Sequence, residues 1–227
     1  VLIISTLVVY MQIRFIQKAD IGFDKGNIIN LLHTRNLGKN GVEFKKALLS
    51  HTEISSASYA NRLPPNVDWQ SVFTLVDSDK EYLLGVYEMD IDHQETMRYE
   101  MVAGRFFSEQ NASDSNAVIL NETAAKKLGV SIFKGKKLVS NYDNPKRERE
   151  IIGIMKDFNF QSLKEPIQPL AIIMGRQPNW EIAIRLTPGN TDEKLALIKS
   201  LWSKYANNAP FEYTFLDKNF ERKHQTE

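Results

Sequence analysis

One order of structural signals occurs twice in this 227-residue chain, once near each end. Near the start, the apolar residues 28–32 predict a strand. Asn40 with Glu43 three positions later has the form of a capping box, which opens an amphipathic helix. Residues 55–60 predict the strand that follows. This part of the chain therefore predicts a β-α-β unit.

The second copy of this order lies near the other end. Glu181–Leu186 predicts a strand, and Asn190 with Glu193 predicts a second helix cap. One apolar face of that helix is formed by Leu195, Ile198, Leu201, Trp202 and Tyr205. Residues 211–216 alternate as a closing strand. Because neither unit can bury its helix and its strand face alone, we expect the two to share one sheet in a split β-α-β arrangement.

The residues between the two units predict mostly β structure. Prolines at 64, 65 and 178 interrupt regular structure at both borders. One short helix is predicted, with Asn121 as its cap and Gly129 as its left-handed stop. The charged residues 134–149 predict an exposed hairpin or loop. Strands are predicted at residues 72–76, 83–89, 117–120, 150–155 and 170–174.

The predicted fold class is therefore α+β: a split β-α-β subdomain interrupted by a β-rich subdomain, with a stalk or membrane helix at the N-terminus. We expect the first α/β half at residues 25–64 and the β-rich insertion at 65–178. The second α/β half is expected at 179–219, followed by a return toward the membrane at 220–227.

An uncharged apolar run occupies residues 1–11. A helix that spans a bilayer needs about 20 such residues, so this run has roughly half the length of a span. We interpret residues 1–24 as the end of a transmembrane helix followed by a stalk, with a buried core helix as the alternative reading. The residues assigned to the membrane and stalk are Val1, Leu2, Ile3, Ile4, Leu7, Val8, Val9, Tyr10 and Met11.

No catalytic constellation emerges from the sequence. The spacing between Gly129 and Gly135 does not fit a phosphate-binding loop. Asp90, Asp92 and His93 could begin a metal site, but no second cluster of ligands accompanies them. We therefore interpret these three residues as the end of a strand that leads into a solvated turn.

Nucleic-acid binding and acid–base catalysis are also disfavoured. Arg105 beside Phe106 and Phe107 is the nearest match to a nucleic-acid contact, but the net charge is only +1 and supplies no general attraction for phosphates. Glu122 and Asp157 lie near apolar runs without an acid–base partner. The chain has no cysteine and hence no thiol nucleophile. We predict no catalytic residue, no metal, no cofactor and no nucleic-acid partner.

Five stretches of the chain are together more specific than any single motif. They are DIGFDKGNI at 20–28 (preceded by Gln12 and Phe15), GRFFS at 104–108, NAVILNETAA at 116–125, GIMKDFNF at 153–160 and FLDKNF at 215–220. In this order they resemble the extracytoplasmic region of MacB-like, FtsX-family permeases, and the resemblance covers almost the whole chain.

This resemblance implies a split α/β subdomain (Porter-like) interrupted by a β-rich one (Sabre-like) and lifted from the membrane on a stalk. It implies a permease subunit of an ATP-binding-cassette system in the bacterial inner membrane, with this domain on the periplasmic side. The implied partners are a cytoplasmic ATPase, the membrane and, as a further candidate, a second copy of the chain. The implied role is mechanical coupling of ATP hydrolysis to export or signalling, without catalysis.

Two other functions stay open on the residues alone. A small-molecule or lipid-binding module would use the cleft expected between two subdomains. A secreted hydrolase would need a catalytic constellation that the sequence does not display.

Overall fold

The computed structural model describes residues 21–130, 132–141, 143–175 and 181–226, and the predicted membrane and stalk residues 1–11 lie outside this set. The described strands are β1 (Ile28–Leu31), β2 (Ile54–Ala60), β3 (Gln70–Leu75), β4 (Glu81–Met89), β5 (Met101–Gly104), β6 (Ala117–Asn121), β7 (Lys137–Ser140), β8 (Glu148–Met155), β9 (Leu170–Met174), β10 (Glu181–Leu186) and β11 (Tyr213–Phe215). The described helices are α1 (Gly41–Leu49), α2 (His93–Met97), α3 (Glu122–Leu128), α4 (Thr191–Tyr205) and α5 (Leu216–Thr226), with 3-10 segments at Thr34–Asn40 and Ala112–Asn116.

The two terminal β-α-β units share one sheet, as the sequence predicts. The strand order at this end is β11-β1-β10-β2, and β10 runs antiparallel to both β1 and β2. Strands β1 and β2 are therefore parallel with β10 between them, and β10 and β11 have β1 between them in the same way. This is an interlocked pair of split β-α-β units, which we call the α/β part, and the α+β fold class is confirmed.

Helices α1 and α4 cover one face of the α/β part. Their apolar faces meet at Phe44 and Trp202, whose ring centroids are 5.9 Å apart, and both side chains are fully buried. The indole Nε1 of Trp202 donates to the carbonyl oxygen of Ala209 at 2.9 Å, so its polar atom is satisfied. Burying an aromatic or aliphatic side chain of this kind contributes about 2 to 3 kcal/mol, so the helical periodicity of the sequence corresponds to a real core.

The predicted helix caps have different outcomes. Asn121 accepts from the backbone N–H of Ala124 at 2.9 Å, and Gly129 adopts a left-handed φ of 70°, so both ends of α3 are confirmed. Asn190 also caps its helix, through the N–H of Asp192. The predicted cap at Asn40 is wrong, because its side-chain amide donates to the carbonyl of Tyr205 instead. A tertiary contact to the second helix has replaced the local one.

The β-rich part closes on itself. Its strands follow the path β4-β3-β7-β8-β6-β9, and β9 then pairs with β4 again. The six strands therefore form a ring, which we call the barrel. Its interior contains alternate residues of the strands: Phe73, Tyr82, Leu84, Val86, Val118, Leu120, Leu138, Ile151, Ala171 and Ile173. Closure removes the unpaired edges that an open sheet would present.

Residues 134–149 were predicted as a hairpin or a loop, and the structure has the hairpin: β7 pairs antiparallel with the start of β8, and Leu138 points into the barrel while Lys137 faces solvent. Two other segments differ from the sequence prediction. Strand β5 was not predicted. The closing strand predicted at residues 211–216 is shorter, because Leu216 already begins α5. The residue limits of the two predicted subdomains stay a prediction.

The α/β part and the barrel are joined through a narrow backbone contact. Strands β2 and β4 pair only at Ala60 and Met89. Beside this pairing lies a shared apolar core that includes Tyr87 of β4, Met97 of α2 and Phe158. Side-chain packing, more than sheet hydrogen bonds, therefore fixes how the two parts meet.

Candidate functional site

Both ends of the described chain meet the fold at one place. The antiparallel pairing of β1 with β11 sets Ile29 opposite Phe215. Because of this register, the segment that leads into β1 lies beside helix α5, which leaves β11. We call this region the base, and define it as residues 21–27, helix α5 and the side chains of Arg98, Tyr99, Phe158 and Arg185.

Phe23 is the apolar centre of the base. Its ring centroid lies 5.9 Å from that of Phe220 in α5 and 5.5 Å from that of Tyr99. Phe158, which follows β8, stands edge-on to it at 6.1 Å. Such aromatic pairs add about 0.5 to 1.5 kcal/mol each to the free energy gained from burial alone. One ring thus connects the incoming segment, the outgoing helix and the body of the domain.

Gly22 allows the incoming segment to pass close to the body. Its φ is 82°, and a Cβ at this position would lie 2.6 Å from the carbonyl oxygen of Asp157 and 2.7 Å from the Cα of Phe158. The neighbouring backbone is also fixed, because the N–H of Asn159 donates to the carbonyl of Ile21 at 2.9 Å. A close backbone approach of this kind requires glycine.

Arg185 of β10 ties the incoming segment to the sheet. Its guanidinium donates to the carbonyl oxygens of Asp24, Gly26 and Thr96 at 2.6, 2.9 and 2.7 Å, and to a carboxylate oxygen of Asp24 at 3.1 Å. Burial lowers the pKa of Arg185, while the negative charge of Asp24 raises it. Asp24 also pairs with Arg98 at 2.6 Å. The carboxylate therefore bridges two cations at the point where the chain enters the fold.

Lys25 faces the outgoing helix. Its ammonium nitrogen lies 6.0 Å from the ring centroid of Phe220. Burial lowers the pKa of Lys25, and the carboxylates of Asp217 and Glu221 on α5 raise it. The incoming segment and α5 are thus attracted to each other by charge as well as by packing.

The base is held together by aromatic packing and by hydrogen bonds to backbone carbonyls. Close-packed interiors of this kind transmit displacement with little compression. Among the residues that the structure describes, no group of three or more histidine or acidic side chains could hold a metal ion.

The suggested turn at Asp90, Asp92 and His93 is buried in part, contrary to the sequence prediction. Asp90 and Asp92 both accept from the ammonium of Lys45 on α1, at 2.6 Å in the case of Asp90. Burial raises the pKa of Asp90, and the charge of Lys45 lowers it. His93 opens helix α2 and is fully buried. These residues join α1 to the β4–α2 connection.

His93 links three elements across the junction of the two parts. Its Nδ1 lies 2.7 Å from the hydroxyl of Ser58 on β2, and its Nε2 lies 2.7 Å from the hydroxyl of Tyr87 on β4. Burial, together with the charge of Lys45, lowers the pKa of His93 to about 3. The imidazole is therefore neutral at neutral pH. Because it has no exposed surface, its two hydrogen bonds are structural contacts within the fold.

Arg105, the nearest match to a nucleic-acid contact in the sequence, forms an ion pair with Asp114 within the domain. Its guanidinium forms two hydrogen bonds of 2.6 and 2.7 Å to the carboxylate of Asp114, which is fully buried. Because of this pairing, the pKa of Asp114 is lowered against the opposing effect of burial. Phe106 and Phe107 are buried in the shared core. This stretch is a structural corner of the domain.

Glu122 and Asp157 bind backbone groups at the start of α3. Asp157 accepts from the N–H and the hydroxyl of Thr123 at 3.0 and 2.6 Å. Glu122 in turn accepts from the N–H of Asp157 at 3.0 Å. The pair fixes α3 to the segment after β8, next to the base.

Sequence reasoning did not single out Arg185 or its contact with Asp24. Arg185 stands as the only charge within the otherwise apolar stretch of residues 182–186, and this isolated charge was a usable signal. Its partner Asp24 lies 161 positions away in sequence, so nothing local pointed to their contact. None of the helices in the described part of the chain has the length and hydropathy to cross a bilayer.

Comparison with known families decides the relationship. A family model for the MacB-like periplasmic core domain matches residues 3–197. The chain belongs to this family. It is thus an extracytoplasmic domain of a MacB-like permease, as the sequence resemblance implied. No curated protein matches the sequence.

Solved structures share the fold of this MacB-like domain at low sequence identity. The periplasmic region of MacB from Actinobacillus actinomycetemcomitans aligns with a TM-score of 0.64 and 13% identity over 93% of this chain and 99% of that one. A domain of a putative permease from Porphyromonas gingivalis gives 0.53 and 18% over 74% of each chain. The extracellular domain of the ABC-type transporter YknZ from Gram-positive bacteria gives 0.51 and 15% over 88% of this chain and 96% of that one.

Proposed function

We propose that this MacB-like domain couples ATP hydrolysis by a cytoplasmic cassette ATPase to movement outside the membrane, in export or in transmembrane signalling, and that it is not itself catalytic. The base is the observation that supports this proposal. There the segment leading into the domain and the helix leaving it contact each other through Phe23 and Phe220, and both are held by the body.

The physical argument concerns how a displacement would spread. Two chain segments that leave a domain at separate, loose points can move without moving the domain. Here Asp24 is held by Arg185, and Gly22 lies against the backbone of Phe158. A tilt of either segment therefore has to displace the α/β part and the barrel together or break these contacts.

The proposed setting follows from the family. We place the parent permease in the inner membrane of a bacterial cell, with this domain on the periplasmic side and the predicted membrane residues 1–11 in the bilayer. The ATPase is a partner on the opposite side. A second copy of the chain remains a predicted partner.

The test measures movement without needing to know the transported substrate. The full permease and its ATPase are placed in lipid vesicles, and a donor dye is attached at Ile132→Cys, a position 80% exposed at the surface of the barrel. These 227 residues contain no cysteine, so Ile132→Cys is their single labelling site, and any cysteine elsewhere in the permease or in the ATPase is replaced by serine. Energy transfer to acceptor-labelled lipid headgroups should change when ATP is added, because the domain moves relative to the bilayer.

Phe23→Ala should separate hydrolysis from movement. Phosphate release should continue, while the ATP-dependent change in energy transfer should fall to a small fraction of its original size, since the ring that connects both segments is gone. Phe133→Ala removes the same ring from a partly buried site against the barrel core and serves as the matched control. An unchanged signal in Phe23→Ala would contradict coupling through the base.

A further inference from the structure

A cleft of about 580 Å³ opens where the α/β part meets the barrel. One wall is formed by residues 33–35 after β1 and by residues 61–62 after β2. The other is formed by residues 67–69, which lead into β3, and the floor and rim include Val86 and Glu181. Clefts between packed parts of a protein are common ligand sites, and this volume lies within the range of small-molecule pockets.

Trp69 gives the cleft an apolar surface. Its side chain is 55% exposed, although the residues around it are firmly placed. The N–H of Val86 donates to the carbonyl of Trp69 at 2.9 Å, and the N–H of Val67 donates to that of Phe160 at 3.2 Å. Val67 and Val86 are themselves buried. A large aromatic ring on a fixed backbone offers contact area at a low entropic cost of ordering.

Other polar side chains in the cleft already have partners within the protein. Glu181 accepts from the N–H of Leu63 and from the amide of Asn30, each at 2.9 Å, and lies 3.6 Å from the guanidinium of Arg62. His33 pairs with Glu212 at 3.1 Å. These contacts hold the walls together, and the charge of Glu181 is compensated within the protein.

Arg35 and Asp68 differ from these groups. Both are exposed in the cleft, and among the residues that the structure describes neither side chain forms an ion pair or a hydrogen bond. A simple anion would be attracted by Arg35 and repelled by Asp68. A simple cation would be attracted by Asp68 and repelled by Arg35. A molecule that carries both charges complements both groups at once.

We propose that the cleft binds a zwitterion with an apolar group. Its acidic group pairs with Arg35, its ammonium group pairs with Asp68, and its apolar group packs on Trp69. The guanidinium of arginine binds carboxylate and phosphate groups in a fixed two-pronged geometry, so Arg35 suits the acidic end. This site is independent of mechanical coupling, since the domain could transmit movement with the cleft empty.

The test uses one zwitterion and its two blocked forms. Alanyl-phenylalanine, its N-acetyl form without the ammonium and its amide without the carboxylate are titrated into the full chain in detergent micelles, with apparent Kd values from ligand-observed NMR. The free dipeptide should bind about two- to fivefold more tightly than either blocked form, because an ion pair with an exposed charged group contributes about 0.5 to 1 kcal/mol. Dihexanoyl phosphatidylethanolamine, which carries the same charges on a lipid, shows whether a lipid headgroup is the source.

Variants assign each charge to its partner. Arg35→Gln should weaken the free and N-acetyl forms about two- to fivefold and leave the amide unchanged. Asp68→Asn should weaken the free and amide forms by a similar factor and leave the N-acetyl form unchanged. Trp69→Ala should weaken all three. Arg147→Gln and Asp79→Asn, at exposed positions outside the cleft, are the matched controls and should change nothing.

Two results would overturn the proposal. One is the absence of binding by the dipeptide and by the lipid up to about 10 mM, a concentration that corresponds to negligible affinity. The other is an equal effect of Arg35→Gln and Asp68→Asn on all forms, which would show that neither charge recognises its own partner. Neither result bears on the energy-transfer test of coupling.

Discussion

Two separate physical constraints require glycine at position 22, and the stability cost of each can be measured separately. Its φ is left-handed, and a Cβ would also overlap the backbone of Asp157 and Phe158. Gly129 has a similar φ of 70° but no heavy atom within 4 Å of an added Cβ. An alanine at position 129 would therefore have the conformational cost of a left-handed φ but no steric overlap.

We expect Gly129→Ala to lower the free energy of unfolding by about 1 kcal/mol, the cost of a left-handed alanine. Gly22→Ala should cost more than about 2 kcal/mol, because backbone atoms cannot move away as a flexible side chain can. Urea denaturation followed by circular dichroism measures both. Equal losses in the two variants would show that the close approach at Gly22 does not hold in solution.

His93 predicts a pH dependence of stability with a definite sign. Its pKa is about 3 in the folded domain, against about 6.5 in an unfolded chain. Above pH 6.5 the imidazole is neutral in both states and has no effect. Between pH 6.5 and 3 only the unfolded chain binds the proton, so the free energy of unfolding falls by about 1.4 kcal/mol for each unit by which the pH is lowered.

His93→Gln should remove this contribution, because its amide can still bond Ser58 and Tyr87 but does not titrate. The measurement is urea denaturation of both proteins at a series of pH values. The difference between the two curves isolates His93 from the carboxylates that titrate in the same range. A constant difference across that range would contradict the buried, neutral histidine.

At the scale of elements, the sequence predicted what depends on local pattern. Both β-α-β units, the α3 caps and most barrel strands have apolar spacing that the structure confirms. For residues 134–149 the sequence left a hairpin and a loop open, because the charged neighbours of Leu138 conceal its inward position; the structure has the hairpin. The cap at Asn40 failed because its amide reaches Tyr205, 165 positions away. Local reasoning has no access to such a competitor.

The connection between β10 and the incoming segment gives the prediction at this scale. Arg185 is 5% exposed and donates to three carbonyls, whereas Arg98 is 62% exposed and makes one ion pair with the same Asp24. Arg185→Leu leaves those carbonyls unsatisfied and should lower the free energy of unfolding by at least about 3 kcal/mol. Arg98→Leu should cost less than about 1 kcal/mol.

Urea denaturation of the two variants gives the comparison directly, since each removes one guanidinium from the same carboxylate. Retention of the full stability by Arg185→Leu would mean that the segment leading into β1 is not held by the sheet. The base would then be looser than its hydrogen bonds indicate.

At the scale of the whole molecule, sequence reasoning reached the order of the parts but not their closure. It placed a β-rich region between two halves of one sheet, and the shared sheet is confirmed. Ring closure through β4 and β9 joins residues about 85 positions apart, such as Gly85 and Leu170, and no local signal specifies such a pairing. The base also escaped prediction, although three of the family-like stretches, at 20–28, 153–160 and 215–220, converge there. These three stretches contact one another in the folded domain, which the separate motifs in the sequence did not show.

The last prediction concerns the stalk expected ahead of the base. Apolar residues continue at helical spacing after residue 11 to about residue 18 and predict that the helix continues into the stalk. Ile13 lies within this predicted helix, outside the described residues. Ile13→Pro would remove a helical hydrogen bond and kink the helix at a cost of about 3 kcal/mol or more, while leaving the domain folded. A kinked stalk can bend without moving the base. In the energy-transfer assay, ATP hydrolysis should continue and the movement signal should be lost, whereas Ile13→Ala, which preserves the helix, should retain both. An unchanged energy-transfer signal in Ile13→Pro would show that movement is transmitted to the domain without the stalk helix, and α5 would be the remaining connection.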